Sequence, residues 1–188
     1  MTRIVAGTLG GRRLAAPTGP HTRPTSDRVR EGLFNTLGSL TELAGSRFAD
    51  LYAGSGAVGL EGYSRGADHV LLVESRPAAA RVARANIATL RAASAVRLVT
   101  GEVLTVLQRG PGTEPPYDIV FADPPYELPD HQLAAVQQAL LTHGWLAPDA
   151  IVVIERATRS PALQWVEPLT GVRTRRYGET TLWYGRRS

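Results

Sequence analysis

Between residues 47 and 155 short apolar runs alternate with longer segments of helical spacing, and that alternation leaves few folds open. The spacing predicts strands over 47–53, 69–74, 95–99, 117–122 and 150–155, separated by helices over 57–65, 77–91, 102–109 and 130–142. A strand that returns to its sheet through a helix runs parallel to its predecessor, with a right-handed crossover. The expected core is therefore an α/β parallel sheet with helices on both faces, and ligands gather at the carboxyl ends of its strands. Ahead of this core, residues 3–16 read as a β-hairpin or extended arm around Gly10-Gly11. Pro24-Thr25-Ser26 opens a helix whose Val29, Leu33, Phe34, Leu37 and Leu40 share one apolar stripe. Beyond the core, 163–185 reads as two more strands, with Thr174, Tyr177 and Trp183 at hairpin spacing. One domain is expected over 23–188, preceded by a basic arm over 1–22.

Two of the strand ends carry chemistry. The run YDIVFADPPY (117–126) ends a buried strand on Asp123, Pro124, Pro125 and Tyr126. An acid, two rigid prolines and an aromatic ring suit a grip on a flat group with an exocyclic amine. The Asp123 carboxylate and the Pro124 carbonyl each accept one amine hydrogen, and the ring stacks on the π-face. Pro125 fixes its own φ and pushes Pro124 toward an extended conformation. The plainer alternative is an Asp-Pro turn, with Tyr126 packed on the following helix.

The second strand end is FADLYAGSGAVGLEGYSRGA (48–67), a strand, a glycine-rich turn and a helix. Gly54, Gly56 and Gly59 have the spacing of a dinucleotide fingerprint, and Glu74 ends the next strand where an acid accepts hydrogen bonds from ribose. This implies a ribose-bearing cofactor without saying which. Asp50, four residues before Gly54, puts a carboxylate where a cationic amino acid rather than a pyrophosphate would sit. With an amine-gripping site on the same sheet, that favours S-adenosylmethionine over NAD.

Composition narrows the chemistry further. The chain of 188 residues has no cysteine, so disulfides, thiolate metal sites and cysteine-dependent pyrimidine C5-methylation are excluded. The four histidines (21, 69, 131, 143) lack ligand spacing, so no metal is expected. No apolar run approaches the ~20 residues that span a bilayer, and the start lacks the apolar segment of a signal peptide, so the expected location is cytoplasmic, without a membrane partner. Every basic residue is arginine, and the arginines lie at the ends: residues 1–30 and 156–188 each carry a net +5, while 31–155 carries −6. Basic ends on an acidic body point to a polyanionic partner. The candidates for RNA contact are Arg3, Arg12 and Arg13 around the hairpin turn, and Arg23, Arg28 and Arg30, which fall off the apolar stripe and are free to meet phosphate or an acid.

On these residues the chain resembles the class I, Rossmann-like, S-adenosylmethionine-dependent methyltransferases with an amino-methylating DPPY motif. More narrowly it resembles the bacterial 16S rRNA guanine-N2-methyltransferase family (methyltransferase D). The segments that carry the likeness are RIVAGTLGGRRLAAP (3–17), RPTSDRVREGLFN (23–35), DLYAGSGAVGLEGYSRGA (50–67), VES (73–75), DIVFADPPYE (118–127) and YGETTLWYG (177–185). The resemblance implies a mostly parallel seven-stranded sheet with an antiparallel last strand. It also implies 16S rRNA or a small-subunit assembly intermediate as substrate, and a monomer. It places the cofactor on Thr25, Asp50, Tyr52, Ala53, Gly54, Ser55, Gly56, Glu74, Ser75, Glu102, Val103 and Asp123. Glu102 stands where the family pattern has Asp toward the adenine amine.

Other functions remain open on the residues alone. An adenine-N6 methyltransferase of DNA or RNA uses the same tetrapeptide, although the DNA enzymes usually add a recognition domain that 188 residues do not accommodate. A protein glutamine methyltransferase commonly has Asn at the place of Asp123 and no reason for basic ends. A dehydrogenase leaves DPPY unexplained, and a non-catalytic RNA-binding module needs neither motif intact.

Overall fold

The computed structural model describes residues 2–19 and 25–188. A short hairpin, β1 (Thr2–Arg3) with β2 (Arg13–Leu14), precedes helix α1 (Asp27–Leu40). Then β3 (Arg47–Leu51), α2 (Ala57–Ser64), β4 (His69–Glu74), α3 (Pro77–Thr89), β5 (Val96–Thr100), α4 (Val103–Gln108), β6 (Tyr117–Ala122), α5 (Asp130–Thr142) and β7 (Leu146–Ala157) alternate. A hairpin of β8 (Leu169–Tyr177) and β9 (Thr180–Arg187) closes the chain.

The seven-stranded sheet has the order β5-β4-β3-β6-β7-β9-β8. From β5 through β7 it is parallel, and β9 runs antiparallel to both β7 and β8. The order reverses direction between β3 and β6, so the ends of these two strands flank the crevice where such sheets bind ligands. Strands covered on both faces read as continuous apolar runs; Val70–Val73 and Ile119–Ala122 are accordingly buried throughout. On one face Phe48, Leu72, Phe121 and Val153 pack against Leu33 and Phe34 of α1, Leu60 of α2 and Ile87 of α3. On the other, Leu51, Val73, Val120 and Ile154 pack against Val106 and Leu107 of α4 and Leu133 and Leu140 of α5.

Local chemistry sets the helix starts. Ser26 accepts a hydrogen bond from the Val29 N–H at 3.3 Å as the N-cap of α1, and Pro77 begins α3 at a position where its missing N–H costs nothing. The N-terminal hairpin shares the core of the sheet domain: Ile4 and Leu14 are buried in it, each burial contributing about 1.5–3 kcal/mol. The backbone N–H groups of Val5 and Ala6 donate to the fully buried Glu61 carboxylate of α2 at 2.8 and 3.0 Å. Asn86 of α3 holds Ala15 in both directions.

Beyond shifts of one or two residues at several ends, three differences from the expected spans have a structural cause or consequence. The strand expected over 47–53 stops at Leu51, because Tyr52 turns into the left-handed region with φ 62°. The strand expected over 150–155 extends from Leu146 to Ala157, with a register irregularity opposite Tyr117–Ile119. The pair expected from 163 begins at Leu169 instead. There Gln137 of α5 bonds both the Gln164 carbonyl and the Val166 N–H, holding the preceding segment out of the sheet. No helix among the described residues is long and apolar enough to cross a membrane.

Candidate active site

The chain leaves β3 through a tight left-handed turn. Gly54 has φ 56° with open space around it, so backbone conformation alone calls for glycine there. Gly59 answers a different need: a Cβ on it would lie 2.4 Å from Leu72 and 3.2 Å from Asp50, so α2 rests on β4 at a distance other residues do not permit. Two acids brace this loop. Asp50 accepts the Gly59 N–H at 2.9 Å, satisfying a first-turn donor of α2 that its N-cap, Gly56, has no side chain to reach. One oxygen of Glu74 accepts the Gly54 N–H at 2.7 Å, and the other accepts the Arg76 N–H at 2.9 Å.

Across the crevice, the chain leaves β6 at Ala122, and the Asp123 N–H reaches back to the Leu51 carbonyl at 3.3 Å. The Leu128 N–H donates to the Pro125 carbonyl at 2.9 Å and closes a turn with Tyr126 and Glu127 at its centre. The buried Arg156 supports the turn from β7, reaching the Leu128 carbonyl at 3.4 Å and the Asp130 carboxylate at 3.6 Å. The Asp123 carboxylate takes no hydrogen bond from any described residue. Buried Glu155 follows Ile154, which pairs with Ala122, so Glu155 stands beside Asp123 on the neighbouring strand.

Both loops wall one cavity of about 680 Å³. Its electrostatics are those of crowded acids. Burial pushes the Asp50 carboxyl up to about 8; the Gly59 N–H opposes that, while the charges of Asp123 and Glu74 add to it. Asp123 is likewise held well above the ordinary carboxylate range, by burial and then by the charge of Glu155. Burial, followed by the nearby charge of Glu102, pushes the Tyr52 phenol up to about 12. Such a cavity favours cationic and hydrogen-bond-donating ligands and disfavours a pyrophosphate.

Residues 2–186 match the family model described as "Conserved hypothetical protein 95". Ribosomal RNA small subunit methyltransferase D of Escherichia coli K12 is 40% identical over 153 residues, 81% of this chain and 73% of that protein. The enzyme of the same name from Haemophilus influenzae is 34% identical over 162 residues, 86% of this chain and 81% of its own length. The chain belongs to the ribosomal RNA small subunit methyltransferase D family. The solved structure of Escherichia coli yhhF, 33% identical, covers 99% of this chain and 97% of its own with a TM-score of 0.85, so the fold is that of class I methyltransferases.

Most site residues expected from the sequence meet at the cavity. Thr25, Asp50, Tyr52, Ala53, Gly54, Ser55, Glu74 and Ser75 line one side, and Asp123, Pro124, Pro125 and Tyr126 the other. Three do not line it. Gly56 caps α2 behind the loop, Val103 is buried in the core at the first turn of α4, and Glu102 is exposed as the N-cap of α4, beyond Tyr52. The cavity also has walls that the sequence reading passed over: Glu155 on β7, and Tyr177 and Thr180, which flank the β8–β9 turn. Glu155 had a signal, because it follows the apolar run Ala150–Ile154 much as Glu74 follows Val70–Val73.

The arginines divide. Arg12, Arg13 and Arg28 are exposed; Arg3 is exposed and pairs with Asp27 at 3.0 Å, and Arg12 also bonds the Thr89 carbonyl at 2.9 Å. Arg30 corrects the expectation of RNA contact. It is fully buried, bonded to Asp27 at 2.7 Å and to the Arg3 carbonyl and the Thr2 hydroxyl, and so ties α1 to the hairpin. Of the two partners open to it, phosphate or an acid, it has the acid. Arg23 lies outside the described residues. On β8, Arg175 and Arg176 are exposed, on the strand that leads to cavity-lining Tyr177.

Proposed function

We propose that this chain transfers a methyl group from S-adenosylmethionine to the exocyclic N2 amine of a guanine in small-subunit ribosomal RNA, in the cytoplasm. The observation that carries the reading is that the Gly54 loop and the Asp123–Tyr126 loop wall one cavity across the switch point of the sheet. The names of the relatives support the RNA substrate.

The residues fit the cofactor. Asp50, buried and pressed by the charges of Asp123 and Glu74, suits the ammonium of the cofactor's amino acid end, while Glu74 keeps lone pairs for ribose hydroxyls beyond the two backbone N–H groups it holds. When bound, the cofactor supplies an electrophilic methyl on a sulfonium. The protein's task is then alignment. Asp123 and the Pro124 carbonyl accept the two amine hydrogens and favour a pyramidal nitrogen with its lone pair toward the methyl, and Tyr126 stacks on the base. Asp123, with its raised proton affinity, is placed to take the proton that the methylated nitrogen sheds. Exposed Arg3, Arg12, Arg13 and Arg28, with Arg175 and Arg176, hold the RNA backbone.

Mass spectrometry of nucleosides from ribosomal RNA, made with and without this chain, tests the reading. N2-methylguanosine that appears only with the chain is expected. N6-methyladenosine in its place, or an unchanged RNA, would refute it.

A further inference from the structure

Two tyrosines line the cavity from opposite parts of the sheet's β6–β8 half. Tyr126 comes from the loop after β6, and Tyr177 is the last residue of β8. Because β9 runs antiparallel to β7 and β8 alike, β8 points the same way as β6, so both tyrosines stand at the carboxyl edge of the sheet. The function proposed above gives the ring of Tyr126 a base to stack on and leaves Tyr177 without a part.

Tyr177 is fixed from three directions. It pairs with Thr180 across a two-residue turn in which Gly178 takes φ 61°. Thr158, just past the end of β7, pins that turn: its N–H donates to the Glu179 carbonyl at 2.7 Å and its hydroxyl to the Gly178 carbonyl at 3.1 Å. The outer end of the ring is wedged against α1, where a Cβ on Gly32 would lie 2.2 Å from the Tyr177 hydroxyl and 2.5 Å from the carbon that bears it. The polar end of the side chain is thus turned onto a helix, and what Tyr177 offers the cavity is its ring.

The spacing suits one flat group. In the order β6-β7-β9-β8, three strand spacings of about 4.8 Å, roughly 14 Å in all, separate the strands from which the two rings come. Stacked rings lie about 4.5–7 Å apart, so a base held between two of them needs about 9–14 Å from one outer ring to the other. A base flipped out of its helix loses stacking on both faces, and an aromatic on each side restores both. We propose that Tyr177 is the second face of the acceptor site, so that the base whose amine Asp123 and Pro124 grip lies between Tyr126 and Tyr177. This rests on the amine-methylating reading above. Tyr177 then sets the tilt of the base, and with it the line from nitrogen to methyl.

A fluorescent base tests this. The methylated position is mapped by digestion and mass spectrometry, and RNA fragments spanning it are made with guanine or with 2-aminopurine there. The 2-aminopurine base keeps the 2-amine, and stacking quenches its emission. Bound to the wild-type protein it is expected to stay quenched, with a ring on each face; bound to Tyr177→Leu it is expected to brighten, because one face is open. On the guanine fragment Tyr177→Leu should lose about tenfold or more in kcat/KM with cofactor affinity unchanged, and Tyr177→Phe, which keeps the ring, should recover most of that loss. Should Tyr177→Leu melt below the assay temperature, Gly32→Ala, which displaces the same ring, takes its place with the same brightening expected. Equal emission from the fragment bound to wild type and to a folded variant would overturn the proposal, as would a Leu variant that methylates guanine at the wild-type rate. A Phe variant as slow as the Leu variant would also overturn it, because the hydroxyl rather than the ring would then carry the effect. If the wild type methylates guanine while emission and rate ignore Tyr177, only the role of Tyr177 falls; if it methylates no guanine fragment, the function proposed above falls with it.

Discussion

The two walls of the cavity hold their acids in opposite ways. On the wall built from β3 and β4, Asp50 and Glu74 take backbone N–H groups from Gly59, Gly54 and Arg76, so these carboxylates shape the loop before any ligand arrives. On the wall built from β6 and β7, Asp123 takes no hydrogen bond from the described residues and is pressed by the charge of Glu155. The first wall is preorganised by the chain itself. The second is completed by what binds to it, which is how a site discriminates one acceptor from another.

Removing Glu74 should separate the walls most sharply. Glu74→Ala loses the ribose acceptor and also frees the Gly54 N–H, so cofactor affinity should fall by about 1–3 kcal/mol for the unpaired groups, with a lower melting temperature as well. Calorimetry that finds wild-type affinity would remove Glu74 from the cofactor wall.

Protonation gives a second contrast. Asp50, raised to about 8 in the free protein, carries a proton at neutral pH that a bound ammonium should expel. Cofactor affinity should therefore rise with pH toward about 8, and binding near pH 7 should release a proton, seen by calorimetry in buffers of different ionisation enthalpy. Asp50→Asn should abolish that release. The same shift affects stability. A carboxyl whose folded pKa is raised stabilises the fold most fully below its ordinary value of 3.8 and loses that contribution as pH rises toward 8. The free protein should thus gain more melting temperature from cofactor at pH 8 than at pH 6.

The acceptor wall can be disturbed without touching an acid. A Cβ on Gly32 of α1 would lie 2.2 Å from the Tyr177 hydroxyl, so Gly32→Ala should push Tyr177 from its place on the cavity wall. RNA methylation should drop about tenfold or more, while cofactor affinity stays near wild type. A parallel loss of both would mean that the two walls are not separable.

The smallest effect concerns the periphery. Replacing Arg3, Arg12 and Arg13 together with Ala should flatten the slope of log RNA affinity against log salt by roughly one unit for each phosphate that is no longer neutralised, at a stability cost within about 0.5 kcal/mol per surface site. Deleting residues 1–16 is a poorer test, because it strips Ile4 and Leu14 from the core and leaves the buried Glu61 without two of its donors. Equal slopes for the variant and wild type would make these arginines ordinary surface.

What could be read beforehand follows a physical division. The strands and helices were legible because buried parallel strands are apolar along their whole length and helices repeat every 3.6 residues, both local properties. The Gly54 turn and the DPPY stretch were legible because their chemistry lies within a few consecutive residues. Arg30 was misread because the groups that bury it include Thr2 and Arg3, 28 and 27 residues away in sequence, which no helical spacing reveals. Tyr177 and Thr180 reach the cavity only through the folding back of β8 and β9 on the far side of β7. Glu155 needed the register between β6 and β7, which the sequence does not state.

The division of the cavity into a finished wall and a waiting one is tested most directly by Asp123→Ala, assayed for cofactor binding by calorimetry and for methyl transfer to ribosomal RNA on the same preparation. The account predicts that transfer falls by about 10³-fold or more, as when a residue that positions and stabilises the reacting group is lost, while cofactor affinity changes by less than about tenfold. Methyl transfer near the wild-type rate, or loss of cofactor binding equal to the loss of transfer, would contradict it.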